Sequence, residues 1–240
     1  MNQREYARKT LQNSLFITLG ALSLIIVCYF LVDPLLAEYA RELQQEHGGN
    51  MLYNVLQAFS TTFQPLAVTA AAAVFLGMRA IQIWQEDRRD DALDGLVEKT
   101  QLSLSDKLFL YKERLLRDTS VIYLLGVFAT LAFTIILKYS LGRARPVMLV
   151  EDGMYGFFGF QTERLFHSLP SAHTSMAAAA AGAIWFILPQ AWLRVFAVLI
   201  LIVVILSRLF LGEHFPADVI AGVWLGFICI YWARLYEKVG

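Results

Sequence analysis

The chain has 240 residues, of which 58% are hydrophobic and only 17% are charged, and its formal net charge is zero. Soluble domains carry about a quarter charged residues, so this composition favours a membrane protein. Balanced charge gives no sign of the basic surface that nucleic-acid-binding proteins use. Cys28 and Cys229 lie inside apolar runs, where packing is expected in place of a disulfide or a metal site.

Six apolar runs, most of them close to the length that crosses a bilayer, follow one another along the chain. They cover residues 14–32, 51–78, 119–137, 173–193, 195–211 and 217–233. The sequence therefore predicts an all-α, polytopic membrane protein built as a six-transmembrane-helix bundle. The first run is long and no small-residue cleavage site follows it, so we expect a retained anchor and not a signal peptide.

An even number of spans puts both chain ends on the same side of the membrane. The connecting segments on that side carry more than twice as many Lys and Arg residues as the segments on the other side. By the positive-inside rule, we expect both termini to be cytoplasmic.

We expect a single membrane-embedded domain over residues 1–240, with a cytoplasmic insert at about residues 85–118. Ser103 followed by Asp106 is a helix-start signal inside this insert. The stretch after it is basic and amphipathic, with Leu108 and Tyr111 on its apolar stripe. Such a helix either lies on the membrane surface or packs against the bundle.

Polar residues are concentrated at the outer ends of the last four spans. The set includes Lys138, Arg145, Ser171, His173, Arg208, His214 and Asp218. Charges at membrane depth are expensive and usually functional. Guanidinium groups match phosphate oxygens and lysine adds a point charge, so the cluster predicts a phosphate site.

Two prolines place backbone and side chains for this site. Pro170 can open a helix and leave the amides of Ser171, Ala172 and His173 available to an anion. Pro216 would open the last span, with His214 just before it and Asp218 in its first turn. Asp218 could then orient His214 as a nucleophile or base, and His173 could donate a proton to a leaving group.

Other polar residues near these ends have simpler interpretations. Arg143 and Arg164 are expected to be interfacial anchors or loop residues, and His167 a loop or rim residue. Glu213 could be a rim carboxylate, and it would disfavour phosphate if it pointed inward.

Three stretches of the chain resemble the signature of the type 2 phosphatidic acid phosphatase family, the membrane lipid phosphatases related to vanadium haloperoxidases. They are "KYSLGRARP" from Lys138, "PSAH" from Pro170 and "SRLFLGEHFPAD" from Ser207. The spacing agrees at every fixed position but one, where the family usually has Gly and this chain has Ala172.

The resemblance implies a role for each matching residue. His214 would attack phosphorus to form a phosphohistidine, Asp218 would orient it, and His173 would protonate the leaving oxygen and later activate water. The phosphate-binding residues would be Lys138, Arg145, Ser171, Arg208 and the amide of Ala172. The family chemistry needs no metal and no cofactor.

The leading hypothesis is a lipid phosphatase of a bacterial inner membrane with its site facing the periplasm. Its partner would be a phosphorylated membrane lipid: undecaprenyl diphosphate, lipid A 1-phosphate, phosphatidylglycerol phosphate or phosphatidic acid. One alternative is a phosphotransferase that passes phosphate to an acceptor lipid. Another is a protein that only binds or carries a lipid phosphate.

Overall fold

The computed structural model describes residues 2–47, 50–62, 64–94 and 103–239. In these ranges the regular elements are helical, and two isolated β-bridges, both made by Arg143, accompany them. The α-helices are α1 Gln3–Val27, α2 Asp33–His47, α3 Met51–Thr62, α4 Pro65–Asp94, α5 Leu104–Arg117, α6 Thr119–Leu141, α7 Pro146–Asp152, α8 Ala172–Ile187, α9 Ala191–Phe210 and α10 Pro216–Val239. A π-helical turn, Cys28–Val32, joins α1 to α2, and a 3-10 turn covers Arg164–Phe166.

Five segments of the described chain are long and apolar enough to cross a membrane. They are Gln3–Glu46, Pro65–Glu86, Thr119–Leu141, Ala191–Phe210 and Pro216–Val239. Helix α8 is also apolar, but its 16 residues are fewer than the roughly 20 that a span needs. The chain is an all-α, multi-pass membrane protein. The total of six spans and the cytoplasmic termini stay predictions.

Two of the predicted runs end at different places in the structure. The run over residues 51–78 is not one span: α3 ends at Thr62 and α4 begins at Pro65. Proline lacks an amide hydrogen, so it fits the first turn of a helix better than its interior. The run over residues 173–193 stops at Ile187, because Leu188 precedes Pro189 and takes an extended conformation.

Helix α10 is the central element, and it packs against α8, α6 and α1. Small residues allow the close approach to α8. A Cβ atom on Gly222 would lie only 2.8 Å from the carbonyl oxygen of Ser171. This contact brings the start of α10, with Asp218, against the start of α8, with His173.

The predicted insert is helical on both sides of residues 95–102, which lie outside the described residues. Helix α5 begins with the predicted capping box, in which Ser103 and Asp106 exchange hydrogen bonds. The Tyr111 hydroxyl donates to the Ala80 carbonyl, so α5 packs against α4. Leu108 and Phe109 nevertheless remain exposed. Bundle packing and an exposed apolar face therefore coexist in this helix.

Candidate active site

Three chain segments that are distant in sequence meet at one end of the bundle. Helix α6 stops because Gly142 adopts a left-handed conformation, with φ of 54°, which turns the chain toward Arg143 and Arg145. The Ser168 amide donates to the Arg143 carbonyl at 3.1 Å, and the Ser171 amide donates to the Asp218 carbonyl at 3.0 Å. These backbone bonds hold the end of α6 and the starts of α8 and α10 together.

The joined segments enclose a cavity of about 450 Å3. Six of the eight predicted site residues line it: Lys138, Arg145, Ala172, His173, Arg208 and His214. The other two, Ser171 and Asp218, are fully buried and do not line the cavity. The remaining lining residues are Gln64, Pro65, Leu66, Arg164, His167 and Glu213. The cavity therefore combines four cationic side chains, three histidines and one carboxylate.

Arg208, in the last turn of α9, carries unused hydrogen-bond donors. Its side chain is buried, with the residue only 2% exposed. Within the part of the chain that the structure describes, its Nε and Nη2 atoms have no hydrogen-bond partner. Burying such donors unpaired is costly, and an anion in the cavity would accept from them.

Lys138 is held at the cavity by backbone oxygens. Its Nζ atom donates to the carbonyl of His167 at 2.5 Å and lies 3.5 Å from the carbonyl of Ser168. Neutral acceptors fix the ammonium group without cancelling its charge. The side-chain nitrogen is therefore held where an anion in the cavity could contact it.

Arg145 is paired with a carboxylate of the same cavity. Its Nη1 atom lies 2.9 Å from Glu213 Oε2. Burial raises the pKa of Glu213, but Arg145, Arg208 and His214 together outweigh it and hold that pKa below its usual value. Glu213 is therefore ionised, and it occupies a guanidinium group that a phosphate would also use.

His214 lies in the turn between α9 and α10 and is 4% exposed. Its Nδ1 atom is 3.6 Å from Asp218 Oδ2, slightly beyond hydrogen-bond length. Such contacts are often long in ligand-free sites and shorten when substrate binds. Burial, together with the charges of Lys138 and Arg145, lowers the pKa of His214 to about 4 against the opposing effect of Asp218. The imidazole is therefore neutral at pH 7.

Asp218 is fixed by donors from three directions. It accepts hydrogen bonds from Ser168 Oγ at 2.5 Å, the Phe215 amide at 2.9 Å and Arg143 Nη1 at 2.5 Å. The carboxylate thus faces His214 without freedom to rotate away. The structure places it where an orienting carboxylate is predicted.

Arg143 lies in the loop between α6 and α7, as one of the two interpretations expected, but it is not an interfacial anchor. Its side chain is completely buried and pairs with two carboxylates, Asp218 and Asp33. Asp33 comes from the start of α2, and sequence reasoning missed it. The available signal was an acidic residue directly after an apolar run, because such a charge at membrane depth needs a partner.

Ser171 also departs from its expected position. Its amide is not free for an anion, because it donates to the Asp218 carbonyl, and its hydroxyl accepts from Thr174 at 3.1 Å. Helix α8 begins at Ala172. The amides of the first turn, including those of Ala172 and His173, lack acceptors within the helix.

Two parts of the cavity wall were not predicted. The corner before α4 contributes Gln64, Pro65 and Leu66, which the sequence placed in the middle of a span. Arg164, expected to be an anchor or loop residue, lines the cavity as a fourth cation. Only Pro65, as a helix-start residue inside an apolar run, signalled the corner in the sequence.

A second cavity, of about 180 Å3, lies between α2 and α9. Its lining is almost entirely apolar and includes Leu36, Ala40, Leu43, Leu206, Phe210 and Phe215. His214 lines this cavity as well as the polar one. One residue therefore lines both a cationic cavity and an apolar one.

Comparison with known families identifies the family of the chain. A model of the PAP2 superfamily matches residues 119–238, which is half of the chain and includes all three motif segments. The chain belongs to the PAP2 superfamily. The likeness of the motifs is thus part of a match that extends from α6 to α10.

Two PAP2 relatives with curated descriptions are lipid A 1-phosphatases, from Rhizobium etli and Rhizobium johnstonii. Each is 33% identical to this chain, over 106 and 113 residues. The match covers 44% of this chain and 45% and 46% of the relatives. The chain spans a little under half the length of these curated relatives.

The fold is similar to a solved PAP2-type structure over nearly the whole chain. The crystal structure of a transmembrane phosphatidylglycerolphosphate phosphatase from Bacillus subtilis matches with a TM-score of 0.50. The match covers 94% of this chain and 96% of that one, at 17% sequence identity. This similarity concerns the fold.

Proposed function

We propose that the chain is a lipid phosphatase that removes phosphate from a membrane lipid through a phosphohistidine on His214. The position of His214 between two cavities carries this proposal. On one side, cations would bind a phosphate, and on the other, apolar residues would accommodate part of a hydrocarbon chain. A phosphorylated lipid has both of these chemical parts.

The relatives favour one lipid among the candidates. Both are named lipid A 1-phosphatases, so lipid A 1-phosphate is the first substrate to test. Undecaprenyl diphosphate, phosphatidylglycerol phosphate and phosphatidic acid present the same phosphate chemistry and form the rest of the panel. The cavity end of the bundle would face the periplasm of a bacterial inner membrane, with Lys- and Arg-rich segments on the cytoplasmic side.

In the first step, Nε2 of neutral His214 attacks phosphorus and the bond from phosphorus to the leaving oxygen breaks. His173, in its protonated form, gives one proton to that oxygen and becomes neutral, so the lipid departs as an alcohol or, from a diphosphate, as a monophosphate. Asp218 faces Nδ1 and stabilises the positive charge that develops on the ring. Lys138, Arg145, Arg208 and the Ala172 amide stabilise the phosphate oxygens. Ser171 is also predicted to bind phosphate, but it does not line the cavity, and its amide holds the start of α8 against Asp218 of α10.

In the second step, His173 takes a proton from water and the water oxygen attacks phosphorus. The bond between phosphorus and Nε2 breaks, which releases inorganic phosphate and restores His214. His173 lies in the first turn of α8 and lines the same cavity as His214. One histidine can therefore serve as acid and then as base.

The test measures phosphate release by the purified protein in detergent from each lipid of the panel. We expect release from at least one lipid, loss of that release in His214→Ala, and normal release in His47→Ala, a control histidine outside the three motifs. Folding of each variant is checked by thermal unfolding. A folded His214→Ala that retains full activity would overturn the mechanism.

Two other outcomes would assign a different function to the same site. Transfer of labelled phosphate to an added acceptor lipid, with little free phosphate, would identify a phosphotransferase. Tight binding of a phospholipid without turnover of any substrate would identify a binding or carrier protein.

A further inference from the structure

A chain of three buried charges runs from the first helix to the candidate active site. Arg143 Nη2 lies 2.5 Å from Asp33 Oδ2, and Arg143 Nη1 lies 2.5 Å from Asp218 Oδ1. All three side chains are completely buried. The guanidinium group therefore bridges two carboxylates, one of which faces His214.

Asp33 also contacts the start of α10 directly. Its Oδ1 atom accepts a hydrogen bond from the Ala217 amide at 3.0 Å. Ala217 is in the first turn of α10, one residue before Asp218. Asp33 thus holds the backbone next to Asp218 with one oxygen, and holds the cation paired with Asp218 with the other.

The sequence around Asp33 explains how the first helix makes room for this contact. Pro34 has no amide hydrogen, and its ring would collide with a carbonyl one turn earlier in a regular α-helix. The chain widens into a π-helical turn, in which the Asp33 amide bonds to the Cys28 carbonyl. The Tyr29 carbonyl then accepts from the Tyr155 hydroxyl at 2.5 Å instead.

Tyr155 links this turn to Arg143. Because its hydroxyl hydrogen goes to the Tyr29 carbonyl, its oxygen can accept from Arg143 Nη2, which is 3.2 Å away. The guanidinium group also lies about 5 Å from the rings of Tyr29 and Phe215, at 5.0 Å and 4.6 Å. Aromatic faces around a buried cation favour its charged form and restrict its movement.

We propose that Asp33 is a positioning residue for the reaction and that it acts on His214 through Arg143 and Asp218. This inference rests on the proposed function. Asp33 lies at the start of α2, within the membrane-spanning segment Gln3–Glu46 and outside the residues that the PAP2 family model matches. This first segment would then complete the active site, in addition to anchoring the chain.

Charge balance supplies the physical reason. A single buried arginine would neutralise a single Asp218 and weaken its attraction to the ring charge that develops on His214. With Asp33 present, one cation is shared between two carboxylates, so the cluster keeps a net negative charge that faces His214. Asp33 therefore preserves the electrostatic effect of Asp218 while fixing its orientation.

The test compares Asp33→Asn with wild type in the panel assay. Asparagine retains an oxygen for the Ala217 amide but removes the charge. We expect kcat to fall about 10- to 100-fold, the range seen when partners that orient a ligating histidine are removed. KM should stay within about two-fold, because Asp33 does not line the phosphate cavity.

Asp118→Asn is the matched control. Asp118 also pairs with an arginine, Arg79, at 2.8 Å, and its side chain also accepts a helix-start amide. The pair is remote from the three-charge chain. This variant should retain the kcat of wild type, and an equal loss in both variants would show a general effect of breaking an ion pair and would overturn the inference.

A second readout does not require turnover. The chain has four histidines, so nitrogen NMR of histidine-labelled protein can identify the His214 ring by its absence in His214→Ala. We expect the tautomer with hydrogen on Nδ1 in wild type and a shift toward Nε2–H in Asp33→Asn. An unchanged tautomer and unchanged kcat in folded Asp33→Asn would overturn the proposal.

The two readouts separate this inference from the proposed function. If wild type releases no phosphate from any lipid, the proposed function fails, and the NMR comparison still decides whether Asp33 positions His214. If Asp33→Asn does not fold, Tyr155→Phe replaces it, because it removes one hydrogen bond to Arg143 and leaves both carboxylates. We expect that variant to lower kcat about 2- to 10-fold and to shift the tautomer in the same direction, and no change in either would overturn the proposal.

Discussion

The two ends of the helix bundle differ in how completely their arginine side chains are paired. At the end formed by α4, α5 and the start of α6, Arg79 pairs with Asp118 and Arg114 pairs with Glu86. At the cavity end, Arg208 is more deeply buried, and within the described residues two of its donors have no partner. Both ends pair cations with carboxylates, but only the cavity end, among the described residues, also has buried guanidinium donors without a partner.

Under the proposed function, this difference would separate charges that stabilise the fold from charges that bind a ligand. A partly exposed ion pair contributes at most about 1 kcal/mol to stability and binds nothing else. A buried cation without a partner lowers stability, and it is retained where an anion will bind. The cavity end contains both kinds, because Arg143 pairs with two carboxylates, whereas two donors of Arg208 have no partner within the described residues.

The strongest test of this comparison is the removal of Arg208. We expect Arg208→Met to lower kcat/KM about 100- to 1000-fold, the loss seen when one donor to a developing oxyanion is removed. The unfolding temperature should not fall, because the unpaired donors form no hydrogen bond within the described structure. Phosphate release and thermal unfolding are measured on the same samples.

Arg194→Met is the matched control, because Arg194 is in the first turn of the same helix, α9, and donates to the Leu188 carbonyl. It should leave kcat/KM within about two-fold of wild type. A similar loss of activity in both variants would contradict a special role for Arg208.

The pH dependence of kcat/KM tests the burial of His214. The nucleophile must be deprotonated, and a lowered pKa keeps it deprotonated in more acidic solution. With a pKa of about 4 instead of 6.5, the active fraction at pH 5 is about 30-fold larger. We therefore expect kcat/KM to fall on the acidic side only near pH 4, and an acidic limb at pH 6 to 7 in a chemistry-limited assay would contradict it.

Glu213 tests whether a carboxylate competes with the substrate for Arg145. Glu213→Gln removes the charge that pairs with Arg145 and leaves the side chain nearly the same size. We expect KM to fall about 3- to 10-fold, because less energy is needed to free the guanidinium group for phosphate. Steady-state kinetics measures the change, and a higher KM would instead show that Glu213 helps to bind the substrate.

The smallest effect on activity is expected at the opposite end of the bundle. Asp118→Asn breaks the pair with Arg79 and should lower the free energy of unfolding by about 1 kcal/mol. Denaturation in detergent measures this loss. The two variants should therefore show opposite patterns. Asp118→Asn should lose stability and keep activity, whereas Arg208→Met should keep stability and lose activity.

Local sequence was sufficient for much of the fold and for most of the cavity lining. Apolar runs predicted the membrane helices because a bilayer requires long apolar segments. The spacing of Lys138, Arg145, His173, Arg208 and His214 predicted residues that the structure brings to one cavity. Ser103 and Asp106 predicted the start of α5, because a capping box depends only on neighbouring residues.

The sequence by itself therefore determined the membrane class and the cationic cluster, since length, hydropathy and motif spacing are local properties. The tertiary structure alone decided that Arg143 is buried, that Asp33 is its partner and that Ser171 gives its amide to Asp218. The two residues of each contact are separated by tens of positions in the chain. Which distant polar group satisfies a buried charge depends on how the helices pack, and no local pattern records that choice.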